Sequence, residues 1–379
     1  MSVLDLHADL ARFGCLSHDE KPIADFVERY LHEATGGAAE FGRTADNIWA
    51  SLGEGDDLLL LNSHLDVVPP SADHPHPPFE PTRVGDRIYG RGTVDAKASG
   101  VAMLQAFVDL ARSGFKPKSG RLVVALTACE EAGRGYNGMQ HLREDLFGKA
   151  LPSVKAAIVG EPTALRPCLA QKGLLILTCN ARGRAAHAAR PHLGENALFA
   201  AARDLLALES FSFDREDDLL GLPTITPTVI SGGSAKNVVP EACAITLDIR
   251  STPAYTHAEL TEIVSKALIG EVKVYSDRLI PCRTDPSERI ARAAARALTD
   301  LSMNAEPFGS PTASDWIFLH DIPTVKIGPG DSRLSHTAQE NVRATEVEKA
   351  VEVYRAIAQA YFAGLPQDVA PGGLEASRR

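Results

Sequence analysis

Apolar runs and helical stripes alternate along the first part of the chain. The first twenty residues predict a helix. A second helix follows, in which Ser17 and Glu20, spaced as a capping box, open the stretch Ile23-Ala24-Asp25-Phe26-Val27-Glu28-Arg29-Tyr30-Leu31. Leucines from Asp57 to Leu61, ending at Asn62, make a run short enough for a buried strand. A loop rich in proline and histidine runs from Val68 to Pro81. Beyond it, Val101, Leu104, Phe107, Val108 and Ala111 put a broad apolar face on a helix over Gly100 to Ser113. Arg121 to Ala128 and Ala156 to Val159 are further buried-strand candidates. Strands that alternate with helices across Gly-rich loops predict an α/β sheet covered on both faces.

After about Gly173 the rhythm changes. Leu174 to Asn180, Thr224 to Ile230 and Ala242 to Arg250 read as strands, and Glu195 to Leu208 and His257 to Leu268 as helices. The earlier pattern resumes after Asp285. A small α+β unit, roughly 173–284, is therefore expected as an insertion in a larger α/β domain formed by 1–172 and 285–379. No internal repeat is visible. From Gly364 the tail, LPQDVAPGGLEASRR, is Pro/Gly-rich and polar and is expected to fray.

With 379 residues the chain exceeds one compact core, which agrees with two domains. Acidic residues outnumber basic ones by 49 to 39, for a formal net charge of −10. That argues against a nucleic-acid surface, which needs a basic patch. The start, MSVLDLHADLARFG, lacks a basic stretch followed by an apolar run, and no segment reaches the ~20 apolar residues of a membrane span. Six scattered cysteines (Cys15, Cys129, Cys168, Cys179, Cys243, Cys282) contain no C-x-x-C pair, so buried free thiols in a reducing cytoplasm are expected.

Candidate chemistry lies where apolar runs end. His64-Leu65-Asp66 closes the leucine strand, with His64 and Asp66 pointing to one side. Asp95 stands in GRGTVDAKASG, between glycines and a helix. Glu130-Glu131 follow the strand that ends at Ala128, Glu161 follows another in VGEPT, and His336 stands in SHTAQE after a Gly/Pro loop. Each residue alone has an ordinary reading as a turn former or a solvated loop residue. Together, five strand or loop ends deliver two His, two Asp and three Glu, a donor set that suits zinc, and His64 and Asp66 stand at a strand's C-terminal end, where open α/β sheets bind ligands. Two divalent cations would be balanced by Asp95, Glu131, Glu161 and one bridging hydroxide, so the cluster need not be buried with a net charge.

HLDVVP, GRGTVDAK, the Glu-Glu pair, GEPT and SHTAQE occur in the order found in the M20 metallopeptidases, and the chain resembles that family over nearly its whole length. The resemblance implies a zinc-dependent exopeptidase-like fold: a three-layer α/β catalytic domain carrying an inserted α+β lid through which the protein forms a homodimer. It implies two divalent metal ions, zinc with cobalt able to substitute. Asp95 would bridge them, His64 and Glu161 would complete one site, and Glu131 and His336 the other. Asp66 matches the carboxylate that orients a ligand histidine. Glu130 matches the general base that takes a proton from the attacking water and hands it to the leaving nitrogen. A cis peptide at Asp95-Ala96 is implied as well.

In the lid, GRAAHAARPHLGENA matches the segment whose histidine, here His187, polarises the carbonyl in the partner subunit's site. His192 is off-pattern and reads as exposed. GGSAKNVVPE matches the loop whose asparagine, here Asn237, contacts substrate. Arg250, in the strand Leu247-Asp248-Ile249-Arg250, is a candidate to grip a substrate carboxylate, with a structural ion pair as the alternative. Ala96-Lys97-Ala98-Ser99-Gly100 departs from the Met-Lys-Gly-Gly of many relatives, and Ala313 stands where succinyl-processing relatives carry threonine. The GEPT glutamate with AQKGLLIL following is closest to the acetylornithine deacetylase branch. The expected reaction is therefore N-deacylation of a small amino acid, N-acetylornithine first, in arginine biosynthesis. The alternatives are succinyl-diaminopimelate or succinylornithine desuccinylation, acetylcitrulline or acetyl-lysine deacetylation, and an aminoacylase or exopeptidase activity. A metal-free binding protein is disfavoured because all seven motif residues are present.

Overall fold

The computed structural model describes residues 1–117, 119–133 and 135–364. The Pro/Gly-rich tail beyond Gly364 lies outside the described residues. The chain packs as two compact units. One comprises Met1–Pro167, Asp285–Glu306 and Ile322–Arg379, and the other Cys168–Thr284 and Pro307–Asp321. The second unit thus takes in residues 168–172 and 307–321 beside the expected insertion. Strand Cys168–Gln171 is hydrogen-bonded to Cys282–Arg283 on one side and to Phe308–Ser310 on the other, which ties these segments together.

The first unit is built on a mixed sheet whose strands lie in the spatial order Glu40–Thr44, Asn47–Leu52, Gly120–Thr127, Asp57–His64, Val154–Val159 and Thr324–Lys326. The last four run parallel, and the first two are antiparallel additions. Leu58 to Leu61 are fully buried, as an uninterrupted leucine run requires in a parallel strand covered on both faces. The hairpin Glu40–Leu52 was not expected. Its two-residue turn uses Ala45, at φ 53°, rather than the Asn-Gly or Asp-Gly that would announce it.

Helix Lys97–Arg112 packs on strands Asp57–His64 and Gly120–Thr127 and on helices Val3–Arg12, Lys21–Thr35 and Ala344–Ala363. It is buried nearly all round, not along one face, because Ala98, Ser99, Gly100, Ala102 and Ala106 let neighbours approach its other sides. One close approach is at Gly160, where a Cβ would stand 2.8 Å from Met103 Cε and from Ser99 Cβ. Only glycine lets the chain pass there on its way to Glu161. The capping box is at Ser2 and Asp5 of the first helix; Ser17 caps nothing, since helix Lys21–Thr35 has Glu20 as its N-cap, without a side-chain cap bond.

The second unit contains an antiparallel sheet in the order Thr224–Gly232, Ala242–Ser251, Gly173–Arg182, Glu271–Leu279. Burial alternates residue by residue along the two central strands. Their inner face (Leu175, Leu177, Cys179, Ile245, Leu247, Ile249) packs on Ala197, Ala201 and Leu208 of helix Ala197–Glu209 and on Leu260 and Val264 of helix His257–Ala267. Strand Glu271–Leu279 escaped the sequence reading because it is an edge strand, mostly exposed and mostly polar. All six cysteines are buried, and none forms a disulfide among the described residues. Among the described residues no helix is long and apolar enough to cross a membrane.

Candidate metal centre

Four parallel strands of the first unit end on one side of the sheet; three deliver acidic or imidazole side chains at or just past their ends, and the fourth does so through a loop. His64 is the last residue of its strand and Asp66 follows two residues on; Glu130 and Glu131 follow the strand ending at Thr127, and Glu161 the strand ending at Val159. Strand Thr324–Lys326 leads through the Gly/Pro loop to His336, which adopts φ 64°. Asp95 stands just before helix Lys97–Arg112, and its peptide bond to Ala96 is cis.

These side chains converge. Donor atoms of His64, Asp95 and Glu131 lie within 4.8 Å of one another. Asp95 faces two ways: its Oδ1 is 3.4 Å from His64 Nε2, and its Oδ2 is 3.4 Å from His336 Nε2. Glu161 Oε1 is 3.9 Å from His64 Nε2, and Glu131 Oε1 is 2.8 Å from His336 Nε2. The two ends differ in exposure. The His64 side chain is 1% exposed and that of His336 is 52% exposed.

So many carboxylates in one place shift their neighbours. Burial disfavours a charged His64, yet the Asp66 and Asp95 carboxylates beside it, with Glu130 and Glu161 nearby, hold its pKa well above 6.5. His336 is raised to about 10 by Asp95 and Glu131, against a smaller opposing effect of burial. Glu161 is pushed up to about 8 by burial and by the charge of Asp95. Asp95 is itself lowered; burial opposes ionisation, but the two histidines prevail. In the metal-free protein, protons thus sit among donors suited to cations. Among the described residues, the buried His64 Nε2 has no hydrogen-bond partner. An orphaned imidazole nitrogen facing carboxylate oxygens fits a metal position, and the nitrogen and hard-oxygen set fits zinc.

Asp66 holds this arrangement together. Its Oδ1 accepts from the Glu130 amide at 3.1 Å and its Oδ2 from the Glu131 amide at 3.0 Å, while His64 Nδ1 lies 3.4 Å from Oδ1. Ser17 Oγ donates to Asp66 Oδ2 at 2.7 Å, and Glu20 Oε1 accepts from the Cys129 amide at 2.8 Å. Ser17 and Glu20 therefore brace the Glu-Glu loop from the N-terminal segment. The S-x-x-E spacing, the signal that Ser17 and Glu20 carry in the sequence, points to a local cap instead.

The remaining site candidates belong to the second unit. His187 and Asn237 are neighbours: the Ala188 amide donates to Asn237 O at 2.9 Å, and both residues are exposed. His187 Nδ1 accepts from the Ala189 amide at 3.0 Å, so in the neutral ring the proton is assigned to Nε2. His192 is exposed. Arg250 Nε and Nη2 are engaged by Asp248 at 2.9 and 3.2 Å, the ion pair weighed as the alternative to carboxylate binding.

A family profile described as "Peptidase family M20/M25/M40" matches residues 60–360. Among curated relatives, the chain is similar to an acetylornithine deacetylase of Myxococcus xanthus, 31% identical over 90% of this chain and 92% of the relative. It is also similar to a probable succinyl-diaminopimelate desuccinylase of Staphylococcus epidermidis, 25% identical over 94% of this chain and 97% of the relative. Among solved structures it shares its fold with the Bacillus subtilis YXEP protein, described as a dinuclear metal binding peptidase from the M20 family. That pair has a TM-score of 0.73 and 14% identity over 95% of this chain and 97% of the other.

Proposed function

Because the chain belongs to the peptidase family M20/M25/M40 and is a hydrolase of that family, we propose that it cleaves the N-acyl group from a small amino acid at a two-metal centre, with N-acetylornithine as substrate and a place in arginine biosynthesis. The two-sided presentation of Asp95 carries this reading. One oxygen lies 3.4 Å from His64, which Glu161 also approaches, and the other 3.4 Å from His336, which Glu131 also approaches, as a carboxylate shared by two ions would.

His64, Asp95 and Glu161 would hold one ion, and Asp95, Glu131 and His336 the other. Zinc, or cobalt in its place, would supply Lewis acidity toward the scissile carbonyl and toward water. Asp66 orients His64 and fixes the amides of Glu130 and Glu131. Glu130, so placed, takes the proton of the attacking water and delivers it to the leaving nitrogen. His187, with Nε2 carrying the proton, is suited to donate to the carbonyl oxygen, and Asn237 beside it to contact the substrate. Arg250 would bind a carboxylate by releasing Asp248 or with its remaining donors.

A homodimer through the second unit is part of the proposal, with His187 serving the partner's site. Leu198, Phe199 and Leu206 of helix Ala197–Glu209 are exposed, and so are Val229 and Ile230 on edge strand Thr224–Gly232. An unpaired edge beside exposed apolar side chains supports a protein interface. Six cysteines that form no disulfide support a cytoplasmic location.

The acetyl preference is supported by the deacetylase relative and by Ala313 where succinyl-processing relatives carry threonine. Profiling the zinc- or cobalt-loaded enzyme on N-acetylornithine, N-acetylcitrulline, N-acetyl-lysine, N-succinyl-diaminopimelate and dipeptides tests it. N-acetylornithine is expected to give the highest kcat/KM. A succinylated substrate or a dipeptide turned over about tenfold better would overturn the assignment while keeping the chemistry.

A further inference from the structure

Glu340, four residues beyond His336, is 1% exposed, and Arg91, its ion-pair partner, is 2% exposed. One carboxylate oxygen of Glu340 engages Arg91 Nη1; the other accepts from the amides of Val94 at 3.2 Å and Asp95 at 3.3 Å. The surrounding turn is anchored as well. Gly90 N donates to Glu340 O at 3.2 Å, Arg91 N to Pro78 O at 2.7 Å, and the buried His7 Nε2 lies 2.8 Å from Thr93 O. Strand Asn341–Arg343, which begins beside Glu340, pairs with Arg87–Tyr89, which leads into the same turn.

We propose that Glu340 is a positioning residue: it joins the loop that carries His336 to the loop that carries Asp95 and sets where the Asp95 carboxylate stands. A buried ion pair is a poor choice for packing alone, because a well-packed apolar pair of similar volume is often as stable. What an apolar pair cannot do is accept two successive amides leading directly to Asp95. The Glu closes the SHTAQE motif, yet the sequence offers no partner for it, since Arg91 and Asp95 lie some 250 positions away along the chain. This inference rests on the metal reading only in treating Asp95 as the shared donor.

The test compares the wild type with Glu340→Gln and with the double variant Arg91→Met/Glu340→Leu, which removes the acceptor without stranding a charge. Amide hydrogen exchange at Val94 and Asp95 is read on the protein as isolated, and zinc affinity by chelator competition. In the double variant, exchange at both amides is expected to accelerate at least about tenfold while the strands of the sheet keep their protection. The zinc dissociation constant is expected to rise about 10–100-fold. Glu340→Gln, which keeps an oxygen toward the two amides, should recover zinc affinity to within about fivefold of wild type. A folded double variant with wild-type exchange at 94 and 95 and wild-type zinc affinity would overturn the proposal, even if its Tm fell. If the wild type binds no zinc, the metal reading fails, while the exchange measurement still decides whether Glu340 sets Asp95.

Discussion

Loading the centre with zinc is expected to expel protons. Near pH 7 the metal-free protein holds a proton on His64, where burial is outweighed by Asp66 and Asp95 and the pKa stands well above 6.5. It holds another on His336, raised to about 10 by Asp95 and Glu131, and largely a third on Glu161, raised to about 8 by burial and by Asp95. A ligand imidazole must be neutral and a ligand carboxylate ionised, so filling both positions should release about three protons per protein. His336 sets the scale. A gap of about three units between neutral pH and its pKa corresponds to ~4 kcal/mol. The side chain is 52% exposed, and solvent screening reduces that to ~1–2 kcal/mol. Apparent zinc affinity at the His336 position should climb about tenfold per pH unit until the ring deprotonates unaided. Both shifts are upward, so their contribution to the stability of the metal-free protein is complete below 4.5 for Glu161 and below 6.5 for His336. It is lost as pH rises through about 8 and about 10 respectively. The metal-loaded protein should lack this loss. Calorimetric titration with zinc in buffers of different protonation enthalpy counts the protons. Two zinc ions bound with fewer than one proton released would refute the reasoning.

Three further outcomes follow from the site. Asp95→Ala removes the oxygen that each histidine faces and should lower bound zinc from two equivalents to well under one by elemental analysis. Glu130→Gln should keep both zinc ions and lose activity by about 10²–10⁴-fold; near-normal turnover in the zinc-loaded variant would place the proton acceptor elsewhere. Co-refolding inactive Glu130→Gln with inactive His187→Ala should restore about a quarter of wild-type activity if His187 serves the partner's site, since half the dimers are then mixed and each holds one intact site. No recovery in verified mixed dimers would exclude action in trans.

What could be read from the sequence were the residues whose position along the chain is itself the signal. His64, Glu130, Glu131 and Glu161 each stand directly after an apolar run, and in parallel strands that placement brings them to one edge of the sheet. Alternation marked the two central strands of the second unit for the same reason: one face of each is buried. What could not be read were pairings made across long stretches of chain. Ser17 and Glu20 carry a valid local signature, but Asp66, 49 positions on, and the Cys129 amide, 109 positions on, claim their side chains. Hydrogen bonds from distant partners override the local cap because they satisfy groups buried behind the site. Arg250 shows the limit from the other side: its neighbour Asp248 was visible, but not that the pair would close on itself.

The unequal exposure of the two histidines gives the centre a direction. An ion beside His336 would lie against a half-exposed imidazole, while one beside His64 would be held by an imidazole that is only 1% exposed, although the carboxylates at the two positions are about equally open. Filling would then be ordered, with the inner ion first to arrive and last to leave, and scarcity would create a half-filled population before an empty one. Such a protein would keep one ion as a near-permanent part of its architecture and let the other follow the supply in its surroundings, so that activity is graded by the free metal level. Chelation followed in time should show two phases, the slower one sensitive to changes around His64; loss of both ions in a single phase would contradict the gradient of burial.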